Sequence, residues 1–268
     1  MTEINCADAQ SLREVIRGLQ SILTARMQAD PYLSGVSSRV ESHRFLGHST
    51  QAVFQRQVAF LSGILRAHMQ KEPSEISVLD WGCGKGHIAY LLRREGFSVT
   101  ACDRDDRSDD SAFGQTTPII AEQRISVVPL QDDVQLPFEA ASFDCVTSFG
   151  VLEHVPRDLE SLKEIRRVLR PRGVLYVTFL PYPLSWTQAL ARTRGNDYHD
   201  RLYWHGRLRE LSSAAGLTVQ SSWFGQLFPK NSVPLRLDPL LEGVDRALCR
   251  FTPLRYFATN IEAVLTAA

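Results

Sequence analysis

An acid followed closely by three glycines is the feature of this sequence that bears most directly on chemistry. Asp80 precedes Gly82, Gly84 and Gly86. Glycine has no Cβ and tolerates positive φ, so a ligand can lie against the backbone of such a loop. The helical pattern over residues 88–94 offers the unpaired N–H groups of a helix start. The segment therefore predicts a strand, a tight loop and a helix that together bind a nucleotide-type cofactor.

The spacing and charge of this loop favour S-adenosylmethionine (SAM) over a dinucleotide. Dinucleotide folds use Gly-x-Gly-x-x-Gly and place a pyrophosphate on the helix N-terminus, whereas this loop has the spacing Gly-x-Gly-x-Gly. Asp80 would repel a pyrophosphate but would attract the ammonium of SAM, which carries no phosphate. Lys85 lacks the Walker-loop spacing, which disfavours ATP as well.

Strand and helix patterns alternate downstream of the loop, which predicts a mostly parallel sheet. Strands are predicted over residues 98–102, 124–130, 142–148 and 174–180, and a helix over residues 159–169, stopped by Pro171, Arg172 and Gly173. Asp103 follows the second strand, about 20 residues beyond the glycines, where a βαβ unit is expected to hold its ribose-binding carboxylate.

Four segments, taken in order, resemble a class I SAM-dependent methyltransferase of the small-molecule type, with a core like that of the ubiquinone and menaquinone methyltransferases. They are residues 80–86, Asp103, residues 132–138 with Phe143 and Asp144, and residues 169–173. The resemblance covers roughly residues 76–180. It implies an α/β, Rossmann-like fold with a mostly parallel seven-stranded sheet, helices on both faces, an N-terminal helical cap and a C-terminal helical tail.

The same resemblance implies which residues hold SAM. Asp80 and the glycine backbone would take its methionine end, and Asp103 would accept both ribose hydroxyls. Asp132 would accept from the adenine amino group and the Asp133 N–H would reach a ring nitrogen, although these two roles could be exchanged. The full set of candidates is Asp80, Gly82, Cys83, Gly84, Gly86, Asp103, Asp132, Asp133 and Phe149. Alternatively, the glycines form a structural turn, Asp103 is a solvated acid, and Cys83 is a packing side chain.

Methyl transfer to a hydroxyl requires a proton acceptor, because the sulfonium is already activated but the hydroxyl must lose its proton. His154 is the first candidate base. It follows the fourth strand, at the edge where open α/β sheets bind ligands, and the family often has Glu-His there. Alternatively, His154 only braces its loop. Related ubiquinone enzymes can place a metal at this point with a further upstream acid, but Gly150 occupies that position here, so no metal is predicted.

A second cluster, residues 196–205, is rich in aromatic and histidine side chains. Such a loop suits a pocket for a sugar or a phenol, and His199 and His205 are the further candidate bases. The alternative is a helix start with a few packing aromatics.

The chain divides into an N-terminal helical cap (1–72), a SAM-binding core (73–225) and a C-terminal helical tail (226–268). Amphipathic stripes predict helices over residues 12–23 and 51–70, which either cap the cofactor or merely cover the sheet. The tail repeats apolar residues at helical spacing beside several arginines, which would suit contact with a membrane surface. Asp238, Glu242 and Asp245 count against such a basic face, so packing on the core or on a second subunit is preferred.

Composition excludes several classes of protein. The formal net charge is zero and the pI is about 7.1, so no global field attracts nucleic acid. The sequence shows no secretory signal, no apolar run of 18 residues and no paired cysteine motif, which predicts a cytoplasmic protein. Oligomeric state is not determined by the sequence.

These features together predict a SAM-dependent methyltransferase that acts on a small molecule or glycan precursor. The expected acceptor is a sugar, a phenol or a lipid-linked intermediate, methylated at a hydroxyl. The alternatives are methylation at carbon or nitrogen, and a catalytically silent scaffold protein that binds SAM without turnover.

Overall fold

A seven-stranded sheet forms the centre of the protein, in the order β3-β2-β1-β4-β5-β7-β6. The computed structural model describes residues 6–22, 30–39, 48–104, 118–132, 134–195, 201–228 and 238–267. The strands are β1 (Ser77–Trp81), β2 (Ser98–Arg104), β3 (Val127–Leu130), β4 (Phe143–Phe149), β5 (Leu169–Pro181), β6 (Leu217–Gly225) and β7 (Asn260–Ala267). The first five strands pair in parallel, whereas β7 runs antiparallel to both β5 and β6. The predicted α/β, mostly parallel sheet is confirmed.

Nine α-helices surround this sheet in the described residues. They are α1 (Cys6–Ile22), α2 (Pro31–Arg39), α3 (His48–Met69), α4 (His87–Arg94), α5 (Pro118–Glu122), α6 (Asp158–Val168), α7 (Trp186–Thr193), α8 (His205–Ala214) and α9 (Asp238–Phe251). None of them is long and apolar enough to cross a lipid bilayer. Short 3-10 helices cover Pro73–Glu75 and Pro253–Phe257.

Helices cover both faces of the sheet because its central strands are buried on both sides. Every residue of β4 except Phe149 is buried, as expected for an interior parallel strand. Successive side chains enter different cores: Val78 packs with α1, α3 and α4, and Leu79 packs with α6 and α8. This period of two fixes which face of each strand each helix must cover.

The C-terminal region differs from the predicted helical tail. Its helix is present as α9, but residues 260–267 form β7, which lies between β5 and β6 within the sheet. All eight residues of β7 are buried, although polar and apolar residues alternate along the strand except at Val264, a period-two strand pattern that the predicted helical tail left out. These residues therefore belong to the sheet of the core and not to a tail beyond it.

The N-terminal region also contains more structure than the pattern indicated. The two predicted helices are present as α1 and α3, while α2 lies in a segment that reads as polar. Leu33 and Val36 of α2 are buried in the core, and this three-residue spacing is too short a stripe to stand out. At the other end of the core, β5 begins at Leu169 rather than at residue 174. Arg172, with φ 64°, lies within that early part of the strand.

Candidate functional site

The loop after β1 is a rigid turn built on glycines. Three of them have positive φ, at 71°, 50° and 80°: Gly82, Gly84 and Gly86. The N–H groups of Gly82 and Cys83 both donate to the carbonyl of Cys102, at 2.9 and 3.0 Å. A Cβ on Gly82 would lie 2.5 Å from a methyl group of Val151. The turn therefore needs glycine at residue 82 and is held against the end of β2.

Asp80, at the end of β1, is a buried carboxyl group that the protein only half satisfies. It is 1% exposed. Its Oδ1 accepts a hydrogen bond of 2.9 Å from the hydroxyl of Thr147, while its Oδ2 is buried and has no partner among the described residues. Burial raises the pKa of Asp80 to about 7, against the lowering effect of Thr147. A cation at Oδ2 would restore the charged form.

Asp103, at the end of β2, closes the glycine loop from the other side. Its Oδ2 accepts from the N–H of Gly84 at 2.5 Å and its Oδ1 from the N–H of Arg104 at 2.7 Å. Burial raises the pKa of Asp103, and the two N–H groups oppose that rise. The structure thus brings Asp80, the glycines and Asp103 to one edge of the sheet, as the parallel pairing of β1 and β2 requires.

Asp132 lies two residues beyond β3, the next strand along the same edge. Its Oδ1 accepts from the N–H groups of Val134 and Gln135, at 2.7 and 2.8 Å. The Gln135 and Val134 N–H groups lower the pKa of this exposed carboxyl. Asp132 therefore shapes its own turn, and its contact with adenine stays a prediction. Asp133 lies outside the described residues.

Two further cofactor candidates have mainly packing contacts. Cys83 is 3% exposed and belongs to the core around α3 and α4. Phe149, at the end of β4, lies edge-on to Tyr176, with ring centroids 5.8 Å apart, and near Phe179 at 6.1 Å. Their contact with a cofactor stays a prediction.

The loop after β4 holds a buried acid beside an exposed histidine. The side chain of His154 is 51% exposed, and its Nε2 lies 3.9 Å from Oε1 of Glu153. Burial raises the pKa of Glu153 to about 8, so this carboxyl is mainly protonated at neutral pH. No three His, Cys, Asp or Glu side chains in the described part of the chain are close enough to hold a metal ion.

A cavity of about 790 Å³ lies toward the other half of the same edge. Residues of α3, α8, β6, β7 and α9 border it, including Gln57, Phe60, His205, Trp223, Phe224 and Glu262. Glu262, 4% exposed, accepts from Gln57 Nε2 at 2.8 Å and from Trp223 Nε1 at 3.0 Å. A polar floor and aromatic walls are the features of a small-molecule site.

His205 is the histidine that the structure places in this cavity. Its Nδ1 lies 2.9 Å from the hydroxyl of Ser222, and its ring is edge-on to Phe224 at 4.6 Å. Burial and then the charge of Arg209 lower the pKa of His205, so the imidazole is neutral at pH 7 and can accept a proton. His199 lies outside the described residues.

Helix α3 connects the glycine loop with the cavity. Phe54 packs on His87, at the start of α4, with ring centroids 4.4 Å apart, whereas Gln57 and Phe60 line the cavity. Burial, and then the charge of Lys85, lower the pKa of His87 to about 4, and its Nδ1 is buried without a partner among the described residues. His87 is not among the residues predicted from the sequence, and Glu153 enters there only as the neighbour of His154. The signal for His87 was its position directly behind the third glycine.

Residues 79–177 match the family described as methyltransferase domain. A ubiquinone biosynthesis O-methyltransferase of Rickettsia bellii is 30% identical over 105 residues, which are 39% of this chain and 42% of that protein. The chain thus matches less than half the length of this curated relative. Residues 79–177 include Asp80, the glycines and Asp103.

Solved structures resemble the whole fold at low identity. The 1,6-didemethyltoxoflavin-N1-methyltransferase of Burkholderia thailandensis, solved with 1,6-didemethyltoxoflavin and S-adenosylhomocysteine, has a TM-score of 0.51 and 20% identity, covering 91% of this chain and 92% of that one. The 4+2 cyclase SpnF has a TM-score of 0.52 and 16% identity, covering 97% and 93%. At these identities the likeness concerns the fold alone.

Proposed function

We propose, on the premise that residues 79–177 are a class I SAM-dependent methyltransferase domain, that this chain transfers a methyl group from SAM to a small molecule bound in the cavity. The observation that carries the proposal is the buried Oδ2 of Asp80 beside the glycine loop, which has no partner among the residues that the structure describes. A buried polar atom without a partner is destabilising by about 1–3 kcal/mol. An ammonium group bound there would remove that cost.

The residues at this edge fit SAM in charge and hydrogen bonding. Asp80 would hold the ammonium of the methionine end, and the open glycine backbone would lie along it. Asp103 would accept the two ribose hydroxyls, because a carboxylate has two oxygens with further lone pairs. Asp132 or Asp133 would meet the adenine ring. SAM would supply an activated methyl group on its sulfonium.

The cavity would position the acceptor. Its aromatic walls would contact an apolar or ring-shaped acceptor, and the Glu262 carboxylate would orient polar groups at the floor. We infer a hydroxyl acceptor, supported by the neutral His205 imidazole, which could take up the hydroxyl proton while the Ser222 hydroxyl fixes its ring. His154 is the alternative base, and its exposed position outside the described cavity wall favours it less.

The proposal is tested by calorimetric titration of the purified protein with SAM and with S-adenosylhomocysteine. We expect saturable binding of both that Asp80→Asn abolishes. Asp144→Asn is the matched control. Asp144 is also a buried acid, but it lies at the start of β4, at the opposite edge of the sheet from Asp80. No binding of either ligand, or equal loss in both variants, would contradict the cofactor assignment.

Turnover separates the enzyme from its alternatives. Incubation with labelled SAM and a panel of phenols, sugars and lipid-linked precursors should transfer label to an oxygen, as mass spectrometry of the product would show. Label on carbon or nitrogen would establish the alternative reaction. SAM binding without transfer to any class of acceptor would favour the catalytically silent scaffold.

A further inference from the structure

Helix α9 and the 3-10 helix after it present a continuous apolar surface to solvent. We call this the α9 surface; its members are Leu240, Val244, Ala247 and Phe251 on α9, and Leu254, Tyr256 and Phe257 beyond it. The four helical positions follow a 4-3-4 spacing, which places them on one stripe. Phe251 is 77% exposed and Leu240 is 68% exposed. Large apolar side chains grouped in this way mark an interaction site.

Glu242 and Asp245 of α9 point away from this surface. Glu242 and Asp245 are 9% and 3% exposed. Glu242 lies 2.7 Å from Arg246 and 3.4 Å from Arg56 of α3, and Asp245 accepts from the N–H of Leu227 at 2.7 Å. Asp238, Glu242 and Asp245 count against a basic face in the sequence; Glu242 and Asp245 instead dock the helix on the protein, and the side chain of Asp238 lies outside the described part of the structure.

The charge left on the α9 surface is positive. Residues 246–261 contain three arginines and no acid; Arg246 is paired with Glu242, so this positive charge is that of Arg250 and Arg255. Arg250 lies over the ring of Phe251 and Arg255 over the ring of Tyr256, each with its guanidinium carbon 5.4 Å from the centroid. Exposed aromatic rings with adjacent guanidinium groups are suited to the interfacial region of a bilayer that contains anionic lipids.

The α9 surface adjoins the mouth of the cavity. Arg250, Arg255 and Tyr256 line the cavity as well. Tyr256 lies edge-on to Phe224, with centroids 5.6 Å apart, and Phe224 in turn contacts His205. Trp204, another lining residue, is 46% exposed. A row of aromatic rings thus leads from the exposed surface to the proposed base.

We propose that the α9 surface docks on a lipid bilayer containing anionic lipids, with the cavity mouth facing the membrane. A second copy of this chain fits less well, because a two-fold contact would bring the same arginines of both copies together. A bilayer complements both features, taking the apolar side chains among its acyl chains and the guanidinium groups at its phosphates. The α9 surface would lie in the interfacial region of the bilayer without spanning it.

The docked orientation deepens the proposed function, on which this step rests. A cavity that opens toward a bilayer receives molecules that reside there. The methyl acceptor is then an amphiphile, whose polar or phenolic head reaches His205 while its hydrocarbon tail stays among the lipids. The volume of about 790 Å³ is that of a head-group site, within the range of ordinary ligand pockets.

The docking is tested with vesicles and the full chain. A truncation before α9 would also remove β7, so substitutions are used. Phe251→Ser/Phe257→Ser removes two exposed rings outside the cavity wall. Leu184→Ser/Leu190→Ser is the control, removing two apolar side chains near α7 that are 50% and 39% exposed. Co-sedimentation is measured with phosphatidylcholine vesicles, with and without phosphatidylglycerol, at low and high salt.

We expect the unaltered protein and the control to bind the anionic vesicles, with at least tenfold weaker binding by the Phe251/Phe257 variant and weaker binding of all proteins at high salt. Absence of binding, equal binding by both variants, or loss in both would overturn the proposal. Concentration-dependent dimers that only the Phe251/Phe257 variant lacks, without vesicle binding, would assign the surface to a second copy. Calorimetry with SAM on the same samples reports the proposed function separately, since neither variant touches the glycine loop.

Discussion

The two edges of the sheet differ in how many of their buried polar atoms have a hydrogen-bond partner. At the edge where β1 and β4 begin, Asp144 is fully engaged: it meets Lys71 at 2.8 Å, Arg170 at 2.7 Å, and both the N–H and the hydroxyl of Ser77. At the edge where these strands end, several buried oxygen atoms lack a partner in the described residues: Asp80 Oδ2, Ser148 Oγ, Glu153 Oε2, Thr178 Oγ1 and Asn260 Oδ1. Oε1 of Gln220, near the start of β6, also lacks a partner in the described residues, but more of these atoms lie at the edge proposed to bind the ligand.

This difference has an energetic meaning. Burial raises the pKa of Asp144, but its hydrogen bonds from Lys71 and Ser77 and the charge of Arg170 together lower it below the usual value, so its charge stabilises the fold. Burial raises the pKa of Asp80 to about 7, so its charge opposes folding. Because proteins rarely leave buried polar atoms unpaired, the cluster of them at one edge supports the proposed binding site without reference to any sequence motif.

Asp80→Asn is expected to have the largest effect on the difference between the two edges. A rise in pKa from 3.8 to about 7 corresponds to about 4 kcal/mol at full ionisation, so the neutral amide should raise the free energy of unfolding at pH 8 by up to about that amount while SAM binding is lost. Urea unfolding of the SAM-free variant measures the stability. A clear loss of stability would show that the charge at Asp80 is structural.

His205→Ala should lower turnover by roughly 10²-fold while SAM affinity is kept. The physical reason is the loss of the proton acceptor in the cavity. His154→Ala is the control from the loop after β4. The initial rates of both variants are compared on an acceptor that the unaltered protein methylates. If His154→Ala carries the larger loss, the base lies on the exposed loop and the cavity assignment fails.

Asp144→Asn should have the converse effect of Asp80→Asn. Removing this charge leaves Lys71 and Arg170 without their shared carboxylate, and both cations are about 39% exposed, so water takes up part of the loss. We expect destabilisation by about 2 kcal/mol with SAM affinity unchanged within twofold. Thermal unfolding and calorimetry on one preparation check both. Weak SAM binding by this variant would contradict the proposal that SAM depends on the Asp80 edge and not on the Asp144 edge.

The smallest expected effect is a pH dependence of SAM binding. Asp80 must be ionised to attract an ammonium, and its pKa is about 7, so affinity should fall about tenfold between pH 8 and pH 6. The SAM-free protein should show the opposite sign: the stability contributed by protonated Asp80 is full below its unfolded pKa and is lost as pH rises through 7. Affinity that is level across this range would remove Asp80 from the ammonium site.

The glycine-loop half of the site could be predicted from sequence because its parts are short and local. Strand, loop and helix follow within residues 77–94, and Asp103 ends the next strand, so parallel pairing alone brings them together. The positive ammonium of SAM, which suits Asp80, then distinguishes SAM from a dinucleotide. Fold class and cofactor type therefore followed from one stretch of about a hundred residues.

The cavity half could not be predicted in the same way, because residues far apart in the chain build it. Gln57, His205, Trp223 and Glu262 come from four elements, and nothing local relates them. The inward direction of Glu242 likewise depends on Arg56, nearly two hundred residues earlier. From the sequence, His205 is therefore only a further candidate base, behind the exposed His154.

The position of β7 between β5 and β6 also constrains how the protein is made. On the ribosome, β6 emerges before β7 but cannot join the sheet without it, because β7 is its only neighbour in the described strand order. The apolar face of β6 must wait until residues 260–267 have left the exit tunnel. Newly made chains thus pass through an interval with β5 as an open edge, which is the form that chaperones hold and that aggregates most readily.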